Sequence, residues 1–344
     1  MNFKKLAVKC MEQMGGKKML SARENVKRGL KFDTPAYLPH DLPFEYGSDI
    51  CNVWMDPSPD GRPANGNGID EWGAVWQNIG KSAVGEVKDF PLKDWNDFDK
   101  LKIPDYKNEE RYKGLEKQVT EAGDKFILAQ GMSIYARVHY IRGLENCWAD
   151  IYEEPERLGN LIDILADMNC YAIEQYAKAG VDGYIFADDW GLQDRLMIDP
   201  EKWREIWMPR YERIFSKALS YNILPFLHSC GYIVDILDDL ISVGLHAVHM
   251  DQQANMGLKL LGERFGGKLT FYSPVDIQCG MQNGLEHVRD YTKNMAKYLA
   301  RHEGGFIARW YTDPVGAGHS EEALLVMCDE FQKISRDMYG TDGW

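Results

Sequence analysis

From about residue 108 onward, apolar positions follow two alternating patterns along the chain. Segments with apolar residues at every third or fourth position predict helices that bury one face: residues 109–122, 133–150, 155–180, 201–222, 232–244, 257–267, 285–305 and 320–340. Between them lie short apolar runs typical of buried strands. Together with one run nearer the N-terminus, the predicted strands are PAYLP, FILAQG, GYIFADD, LPFLHSC, AVHMDQ, LTFYSP and FIARWYTD.

The first third of the chain is less regular. Residues 17–31 predict a helix, because Ser21 followed by Glu24 forms a capping box and Gly29 lies near the end. Residues 40–68 are rich in Pro, Gly, Asn and Asp and predict a long loop, which in a compact domain usually serves function or acts as a lid. Two further segments, 68–80 and 84–92, predict short strands that cover another part of the protein.

Strands that alternate with helices at this spacing predict a parallel sheet with right-handed crossovers. Because no Gly-rich dinucleotide fingerprint is present, the pattern favours an α/β fold of the (β/α)8 TIM-barrel type over a doubly wound sheet. Seven strands are visible, and the eighth is expected within residues 133–150 or 70–90. We therefore predict a single barrel domain over residues 1–344, with an N-terminal loop and hairpin extension at about 40–105 that caps the mouth.

Composition narrows the function. The net charge of −13 makes nucleic-acid binding improbable, because phosphate contacts need a basic face. Seven scattered cysteines do not suggest a disulfide framework and fit reduced thiols or metal ligands. The Lys-rich N-terminus lacks the apolar run of a signal peptide, and no segment reaches the ~18 apolar residues of a membrane span. We expect a cytoplasmic protein that does not associate with membranes.

The strongest chemical signal is the sequence His228-Ser229-Cys230-Gly231 at the end of a predicted strand. Alternate residues of a strand point the same way, so His228 and Cys230 share a face. Imidazole and thiolate are both zinc ligands, and in a TIM barrel the active site lies at the carboxyl ends of the strands. The pair therefore predicts a zinc site, although an incidental histidine beside a core cysteine would give the same sequence pattern.

A zinc ion needs further ligands, and three residues near other strand ends are candidates. Cys279 is a candidate ligand that could instead be a small buried hydrophobe. Asp251 is another, although it and Asp276 could cap helices. Asp313 precedes a proline and could simply shape a turn.

Asp188 and Asp189 follow an apolar strand and form a carboxylate pair suited to acid–base catalysis, because adjacent like charges raise one pKa. The alternative is that at least one of them caps a helix or loop near Gly191. Three single histidines are interpreted as structural: His139, His246 and His249. His319, on the last loop, is a further candidate for the site. Aromatic residues in the cap-like segment suggest an apolar or aromatic substrate, although core packing explains most of them: Phe44, Tyr46, Trp54, Trp72 and Trp76.

Several segments between about residues 20 and 335 together resemble the uroporphyrinogen-decarboxylase superfamily. They are YIRGLENCWADIYEEPERLGNLIDILADM, GVDGYIFADDWGLQDRLMIDPEKWREIWMPRYERIF, LHSCGYIVDILDDLISVGLHAVHMDQQANM and SPVDIQCGMQNGLEHVRDY. IDEWGAVWQ and DFPLKDWNDFDKLKIPDY are similar to the N-terminal part of its methyltransferase-like members. The resemblance implies a barrel enzyme.

Two motifs indicate which branch of the superfamily the chain resembles. True decarboxylases have an Arg-rich N-terminal motif that binds substrate carboxylates, whereas the equivalent segment here, PAYLPHDLPFEYG, has no arginine. The HSC motif resembles the zinc site of the corrinoid-dependent methyltransferases. Those relatives have a second cysteine near the last strand, but IARWYTDPVGAG has none. Either Cys279, Asp251 or Asp313 replaces it, or the zinc site is altered or lost.

The resemblance thus implies a zinc-dependent methyltransferase of the O-demethylase kind. It would move a methyl group from a methoxylated aromatic small molecule to the cobalt of a separate corrinoid protein, with Asp188 or Asp189 positioning substrate or supplying a proton. Alternatives are transfer from a methylcorrinoid to a thiol or tetrahydrofolate, decarboxylation of a porphyrinogen, for which no anion-binding basic residues are apparent, and a corrinoid-binding chaperone without turnover. Dimers are common among similar proteins, so a homodimer is possible.

Overall fold

The computed structural model describes residues 20–59, 61–78, 80, 85–341 and 343. Eight parallel strands form one sheet that follows the barrel order, and a separate three-stranded antiparallel sheet lies within the segment between the second and third barrel strands. The barrel strands are β1 (His40–Asp41), β2 (Ile50–Val53), β6 (Phe126–Gln130), β7 (Gly183–Ala187), β8 (Leu224–His228), β9 (Ala247–His249), β10 (Thr270–Ser273) and β11 (Phe306–Arg309). The small sheet consists of β3 (Gly68–Ile69), β4 (Val75–Gln77) and β5 (Glu86–Asp89). The predicted TIM-barrel fold is confirmed.

Helices surround the strands. They are α1 (Ala22–Lys31), α2 (Leu115–Glu121), α3 (Ala136–Arg142), α4 (Leu144–Glu153), α5 (Pro155–Ala179), α6 (Pro200–Ile206), α7 (Met208–Ser220), α8 (Val234–Ser242), α9 (Leu258–Phe265), α10 (Leu285–Leu299) and α11 (Glu321–Tyr339). Side-chain caps mark the start of three of them, α1, α6 and α11. Ser21 caps α1 as predicted, accepting a hydrogen bond from the Glu24 amide. The predicted helix at 133–150 is two helices, because Gly143 adopts a φ of 85° between them.

Two strand predictions were wrong in position. The segment PAYLP is not a strand; β1 is formed by the next two residues, since prolines at 35 and 39 remove backbone donors. The eighth strand lies neither in 133–150, which is helical, nor in 70–90, which contributes to the small sheet; it is β2, inside the predicted long loop. Strand β1 pairs with β11 and β2 pairs with β6, so these two short strands form the seam of the barrel. The Asp49 amide donates to the His40 carbonyl across this seam (2.8 Å).

The inside of the barrel is filled at its amino end and open at its carboxyl end. Helix α1 covers the amino end: Lys27 forms an ion pair with Asp182 just before β7, and Val26 joins the inner apolar cluster. The residues of that cluster, such as Leu224 and Phe226 on β8, alternate along each strand with residues that face the helices. Because α1 closes one end, the cavity of substrate size within the described residues opens at the other end.

The small sheet lies in the segment predicted to cap the mouth, and we call it the cap; a buried ion pair fixes it to the barrel. Asp70 follows β3 and accepts a hydrogen bond from Arg137 of α3 (2.8 Å), and both side chains are fully buried. Asp70 also accepts hydrogen bonds from the Trp72 and Ala74 amides and from the Trp76 indole. The cap is therefore held rigidly to the helix that follows β6.

Two further predictions concern cysteines and membranes. The six cysteines in the described part of the chain are free thiols. The seventh, Cys10, and the predicted absence of a signal peptide concern residues 1–19, which lie outside the described residues. No helix among the described residues is both long and apolar enough to cross a membrane.

Candidate functional site

A cavity of about 690 Å³ opens at the carboxyl ends of the strands. One wall comes from the chain that follows β2 and β6, including Trp54, Arg62 and Tyr140. The opposite wall and the base come from the ends of the later strands: Asp189, His228, His249, Asp251, Tyr272, Arg309 and Tyr311. Polar residues thus collect at the base, and aromatic residues line much of the wall.

Strand alternation decides which side chains reach the cavity. On β8, Leu224 and Phe226 point into the barrel, so His228 points inward as well. The same period of two continues from Ile185 on β7 to Asp189 just beyond it, and from Ile307 to Arg309 on β11. The residues with cavity-facing chemistry are therefore the continuation of the inner apolar layer.

Asp189, His228 and Cys230 form a compact group with one possible metal-ligating atom each, all within 4.8 Å of one another. His228 Nε2 lies 3.5 Å from the Cys230 sulfur and 3.4 Å from Asp189 Oδ1. The Cys230 amide donates to Asp189 Oδ1 (2.8 Å), which holds the carboxylate beside the thiol. Imidazole, thiolate and carboxylate are all zinc ligands, so the donor set fits a zinc ion with three protein ligands and one open position.

Two glycines bring the ligand-bearing loops together. A Cβ on Gly191 would lie 2.2 Å from the Tyr232 amide nitrogen, and a Cβ on Gly231 would lie 2.2 Å from the Gly191 carbonyl oxygen. Gly231 also has a φ of 76°, which favours glycine. The glycine that ends each of the two motifs, ADDWG and HSCG, thus lets the loop after β7 contact the loop after β8.

We expect Gly191→Ala to lower the free energy of unfolding by about 1–3 kcal/mol and to weaken zinc binding, because the added methyl group forces the two loops apart. Gly114→Ala is a matched control, since its Cβ would meet only the Gln118 side chain at 3.7 Å. Urea unfolding and competition with a chromogenic chelator measure the two effects. Wild-type zinc affinity in Gly191→Ala would contradict this role of the glycine.

His249 orients His228. The two Nδ1 atoms lie 2.9 Å apart, and Arg309 Nη1 lies 3.1 Å from His249 Nδ1. Because an arginine can only donate, His249 Nδ1 is the acceptor, and His228 Nδ1 carries the hydrogen that it donates to His249. The lone pair of His228 is thereby assigned to Nε2, the nitrogen that faces Cys230 and Asp189. A hydrogen bond at the far nitrogen of a metal-binding histidine commonly fixes its tautomer in this way.

The titration of these groups follows from their proximity. Burial lowers the pKa of His228, but the neighbouring Cys230 and Asp189 outweigh it and raise the pKa well above its usual value. Burial together with the positive charge of Arg309 lowers the pKa of His249 to about 3. His249 therefore stays neutral, and a metal bound at His228 would displace a proton.

A second group of possible metal ligands consists of His228, His249 and Asp251. His249 Nε2 and Asp251 Oδ1 lie 2.9 Å apart but are not aligned for a hydrogen bond, and neither atom has a hydrogen-bond partner within the described chain. The cationic Arg309 next to His249 disfavours a metal ion at this place. We therefore regard the group with Cys230 as the better metal site; Asp251 lies beside His249 and outside that group.

The carboxylate pair after β7 is divided between two environments. Asp189 faces the cavity with 54% of its side chain exposed. Asp188 is fully buried on the other side of the strand, where it accepts hydrogen bonds from the Tyr135 and Ala136 amides and from the Tyr211 hydroxyl (2.7 Å). Burial raises the pKa of Asp188 to about 7 despite these bonds. Asp188 therefore caps the start of α3 and does not line the cavity.

The remaining predicted residues lie elsewhere. Cys279 is exposed and belongs to neither group of possible metal ligands in the described chain. Its amide donates to Asp276, which also accepts from the Ala254 amide. Asp313 accepts from the Gly316 amide and shapes a turn. Three histidines contact backbone or aromatic groups away from the metal groups: His139, His246 and His319.

The aromatic residues of the cap-like segment also divide. Trp54 lines the cavity and is 46% exposed, whereas the side chains of Tyr46, Trp72 and Trp76 are buried in packing. The side chain of Phe44 lies outside the described atoms. Among the described side chains of this set, Trp54 is therefore the one placed to contact a substrate.

The sequence interpretation missed three cavity residues. His249 was taken as structural, although the spacing His249–Asp251 repeats the spacing His228–Cys230 on the next strand. The expectation that no basic residue is available to an anion was also wrong, because Arg62 and Arg309 line the cavity. Neither arginine lies in the N-terminal segment where the resemblance directed attention.

Comparison with known structures agrees with this fold. A methyltransferase from Methanosarcina mazei superposes with a TM-score of 0.67 over 91% of this chain and 99% of its own, at 12% sequence identity. A B12-independent methionine synthase from Shewanella sp. W3-18-1 gives a TM-score of 0.46 over 64% of this chain and 66% of its own, also at 12% identity. At such low identity the first likeness shows a shared fold, and the second is too weak to support an argument.

Sequence comparison identifies the family. No curated protein sequence gives a significant match to the chain. Residues 78–310, about two thirds of the chain, match the profile of the uroporphyrinogen decarboxylase (URO-D) family. This span includes the ends of β7 and β8, which carry Asp189, His228 and Cys230. The protein therefore belongs to the uroporphyrinogen decarboxylase family.

Proposed function

We propose that the protein is a zinc-dependent methyltransferase that moves a methyl group from a methoxylated aromatic compound to the cobalt of a separate corrinoid protein. The observation that carries the proposal is the group formed by Asp189, His228 and Cys230, of which Asp189 and His228 line the open cavity. Membership of the URO-D family and the likeness in fold to a methyltransferase support it.

Each part of the site has a role in this proposal. Asp189, His228 and Cys230 would hold zinc, which when bound supplies Lewis-acid activation of the methyl donor. The contact with Arg309 makes His249 Nδ1 an acceptor for His228 Nδ1. His249 thereby keeps His228 Nε2 directed at the zinc position. The aromatic wall with Trp54 packs against the donor ring and excludes water.

The open end of the cavity is where the corrinoid protein would approach. The cavity is bounded by the chain that follows β2 and β6 on one side and by the ends of β9–β11 on the other, so a methyl group held at the base faces the opening. Holding the methyl donor and the acceptor in the reactive geometry contributes much of the rate enhancement of a group transfer. Asp188 has no contact with this space and acts by fixing α3, which carries Tyr140 to the wall.

Metal analysis of protein purified without oxygen tests the proposal. We expect about one zinc per chain in the native protein and almost none in His228→Ala and Cys230→Ser, because each loses a ligand of a three-ligand site. Cys279→Ser is the matched control: it removes a thiol that belongs to neither group of possible ligands, so its zinc content should be unchanged.

Activity is then measured as the absorbance change of a reduced corrinoid protein on methylation, with methoxylated aromatic donors. Zinc-dependent methylation that is lost in His228→Ala supports the proposal. Native protein without zinc after handling with added metal would contradict it. Transfer that runs only from methylcorrinoid to a thiol or tetrahydrofolate would replace it with the reverse half-reaction.

A further inference from the structure

Tyr311 presents a phenol hydroxyl to the cavity. The residue lies two positions beyond the end of β11, so it continues the inward-facing positions Ile307 and Arg309, and it lines the cavity. Its side chain is half-buried, and its hydroxyl makes no hydrogen bond to any described residue. A donor held in this way inside a cavity is available to a bound ligand.

The ring of Tyr311 is held in place by its neighbours. The adjacent Trp310 amide donates to the Asp41 carbonyl (3.2 Å), which continues the pairing of β11 with β1. The imidazole of His319 packs edge-on against the ring, with centroids 6.0 Å apart, and its Nε2 lies 2.9 Å from the Ile277 carbonyl oxygen. The hydroxyl therefore has a defined position, because the strand end fixes the backbone and His319 contacts the ring.

The two other tyrosines that line the cavity have different surroundings. The Tyr272 hydroxyl donates to Asp41, so its hydrogen is already used within the chain. Tyr140 lies on the opposite wall, where its hydroxyl accepts a hydrogen bond from Arg62 (3.4 Å). Among the described tyrosines on the side of the later strands, Tyr311 is thus the one whose hydroxyl hydrogen remains for a ligand.

The charges around Tyr311 place its hydroxyl near the candidate zinc group. Burial raises the pKa of Tyr311, and the nearby Asp251, Cys230, Asp313 and Asp189 raise it further. The phenol therefore keeps its proton at neutral pH and acts as a donor. Because such electrostatic effects fade with distance, the contributions of Cys230 and Asp189 indicate that the hydroxyl lies in the neighbourhood of these two ligands.

We infer that Tyr311 is the acid that protonates the oxygen from which the methyl group departs, so that the methyl donor is an ether whose oxygen reaches Tyr311. The inference rests on the proposed function. The carbon–oxygen bond of the donor breaks and its electron pair stays on the oxygen, while the acceptor supplies the electron pair of the new bond to carbon. The Tyr311 hydroxyl gives its proton to that oxygen, and the tyrosinate regains a proton from water in the open cavity.

The chemistry of the leaving oxygen explains why a phenol suits this task. Proton transfer between two phenols is nearly balanced, because their ordinary pKa values are similar. The acidic groups that raise the pKa of Tyr311 also raise the proton affinity of a phenoxide beside it, so the balance is kept. A tetraalkylammonium donor would gain nothing from this hydroxyl, because its nitrogen has no lone pair to accept a hydrogen bond.

The first test measures binding without a corrinoid protein. Zinc-loaded native protein and Tyr311→Phe are titrated with para-nitrophenolate, followed by its absorbance, and with its methyl ether, para-nitroanisole. We expect Tyr311→Phe to weaken binding of the phenolate about 10- to 100-fold, because a hydrogen bond to a charged oxygen is lost, and of the neutral ether only about 2- to 10-fold. Folding and zinc content should be unchanged, because the hydroxyl has no partner among the described residues.

The second test measures methylation of a reduced corrinoid protein from two ethers, anisole and para-methoxybenzonitrile. The nitrile releases a more stable phenoxide, which needs less help from an acid. We expect Tyr311→Phe to slow transfer from anisole by about 100-fold or more and to slow transfer from the nitrile by about tenfold less than that. A general effect on the shape of the cavity would slow both transfers alike.

Two matched controls remove a tyrosine hydroxyl elsewhere. Tyr140→Phe alters the opposite wall and should change transfer from both ethers to the same extent. Tyr221→Phe alters an exposed residue that precedes β8 and should match the native protein in both tests. Equal slowing of both ethers in Tyr311→Phe would overturn the inference, as would native binding of the phenolate. Loss of zinc from Tyr311→Phe would also overturn it, since the residue would then act through the metal site.

The outcome for Tyr311 is separable from that for the proposed function. Binding of the phenolate that depends on Tyr311, without methylation of a corrinoid protein from any ether, would retain the hydrogen-bond donor and refute the methyltransferase. Methylation at native rates in Tyr311→Phe would retain the methyltransferase and refute the role of Tyr311.

Discussion

Asp188→Ala and Asp189→Ala, which alter adjacent residues, are expected to have opposite effects. Asp188→Ala should lower the free energy of unfolding by about 3 kcal/mol, while the protein that remains folded keeps its zinc. Asp189→Ala should leave unfolding within about 0.5 kcal/mol of the native value and weaken zinc binding by more than about 100-fold.

The expectation for Asp188 follows from its partners. Its carboxylate accepts from the amides at the start of α3 and from Tyr211, whose hydroxyl in turn accepts from the Trp190 indole. Removal of the side chain leaves buried donors without an acceptor, which costs more than the loss of an average hydrogen bond. Because α3 carries Tyr140 to the cavity wall, weaker substrate binding should accompany the loss of stability.

Asp189 has no comparable structural duty. Its bonds are with His228 and the Cys230 amide, and more than half of its side chain is exposed. Chemical denaturation of the apo forms and chelator competition for zinc distinguish the two residues, with Asp188→Asn and Asp189→Asn as conservative controls. A loss of zinc in Asp188→Ala that matches the loss in Asp189→Ala would contradict this division of roles.

The second large effect concerns the ion pair that fixes the cap. We expect Asp70→Ala to lower the free energy of unfolding by about 3–5 kcal/mol, because Arg137 stays buried after the loss of its carboxylate. The Trp76 indole and two amides lose their acceptor in the same substitution. Urea unfolding followed by tryptophan fluorescence measures the change.

A surface ion pair provides the comparison. Lys259 and Glu263 are each about 70% exposed, so Glu263→Ala should change stability by less than about 0.5 kcal/mol. The double variant Asp70→Asn/Arg137→Met, which removes both charges, should be more stable than Asp70→Ala. If Asp70→Ala unfolds like the native protein, the pair does not hold the cap.

The fold was largely predictable because its elements are long and periodic. Helix α5 and the strands from β6 onward fall where the sequence pattern places them. Strands β1 and β2 were misplaced because they have only two and four residues and lie among prolines and glycines. Their pairing with β11 and β6 is set by closure of the barrel, which no local pattern records.

The site was predictable to the extent that strand alternation was applied. The rule placed His228 and Cys230 together, and the structure brings them within 3.5 Å. Applied to β7, the same rule separates Asp188 from Asp189, and applied to β9 it links His249 with Asp251. Arg309 is different, because its contact with His249 joins β11 to β9, two strands that are not neighbours in the sheet, and no local pattern records such a contact.

The seam between β1 and β2 has a consequence for synthesis of the protein on the ribosome. His40 and Asp41 pair with Ala308 and Arg309, residues that are translated more than 250 positions later. Until then the nascent chain carries an incomplete cylinder with an unpaired edge, and such edges promote association between chains. The cavity wall formed by β11 is also missing during that time. Chaperone demand and sensitivity to truncation should therefore concentrate on the segment that contains β11, because its long-range pairing with β1 closes the barrel.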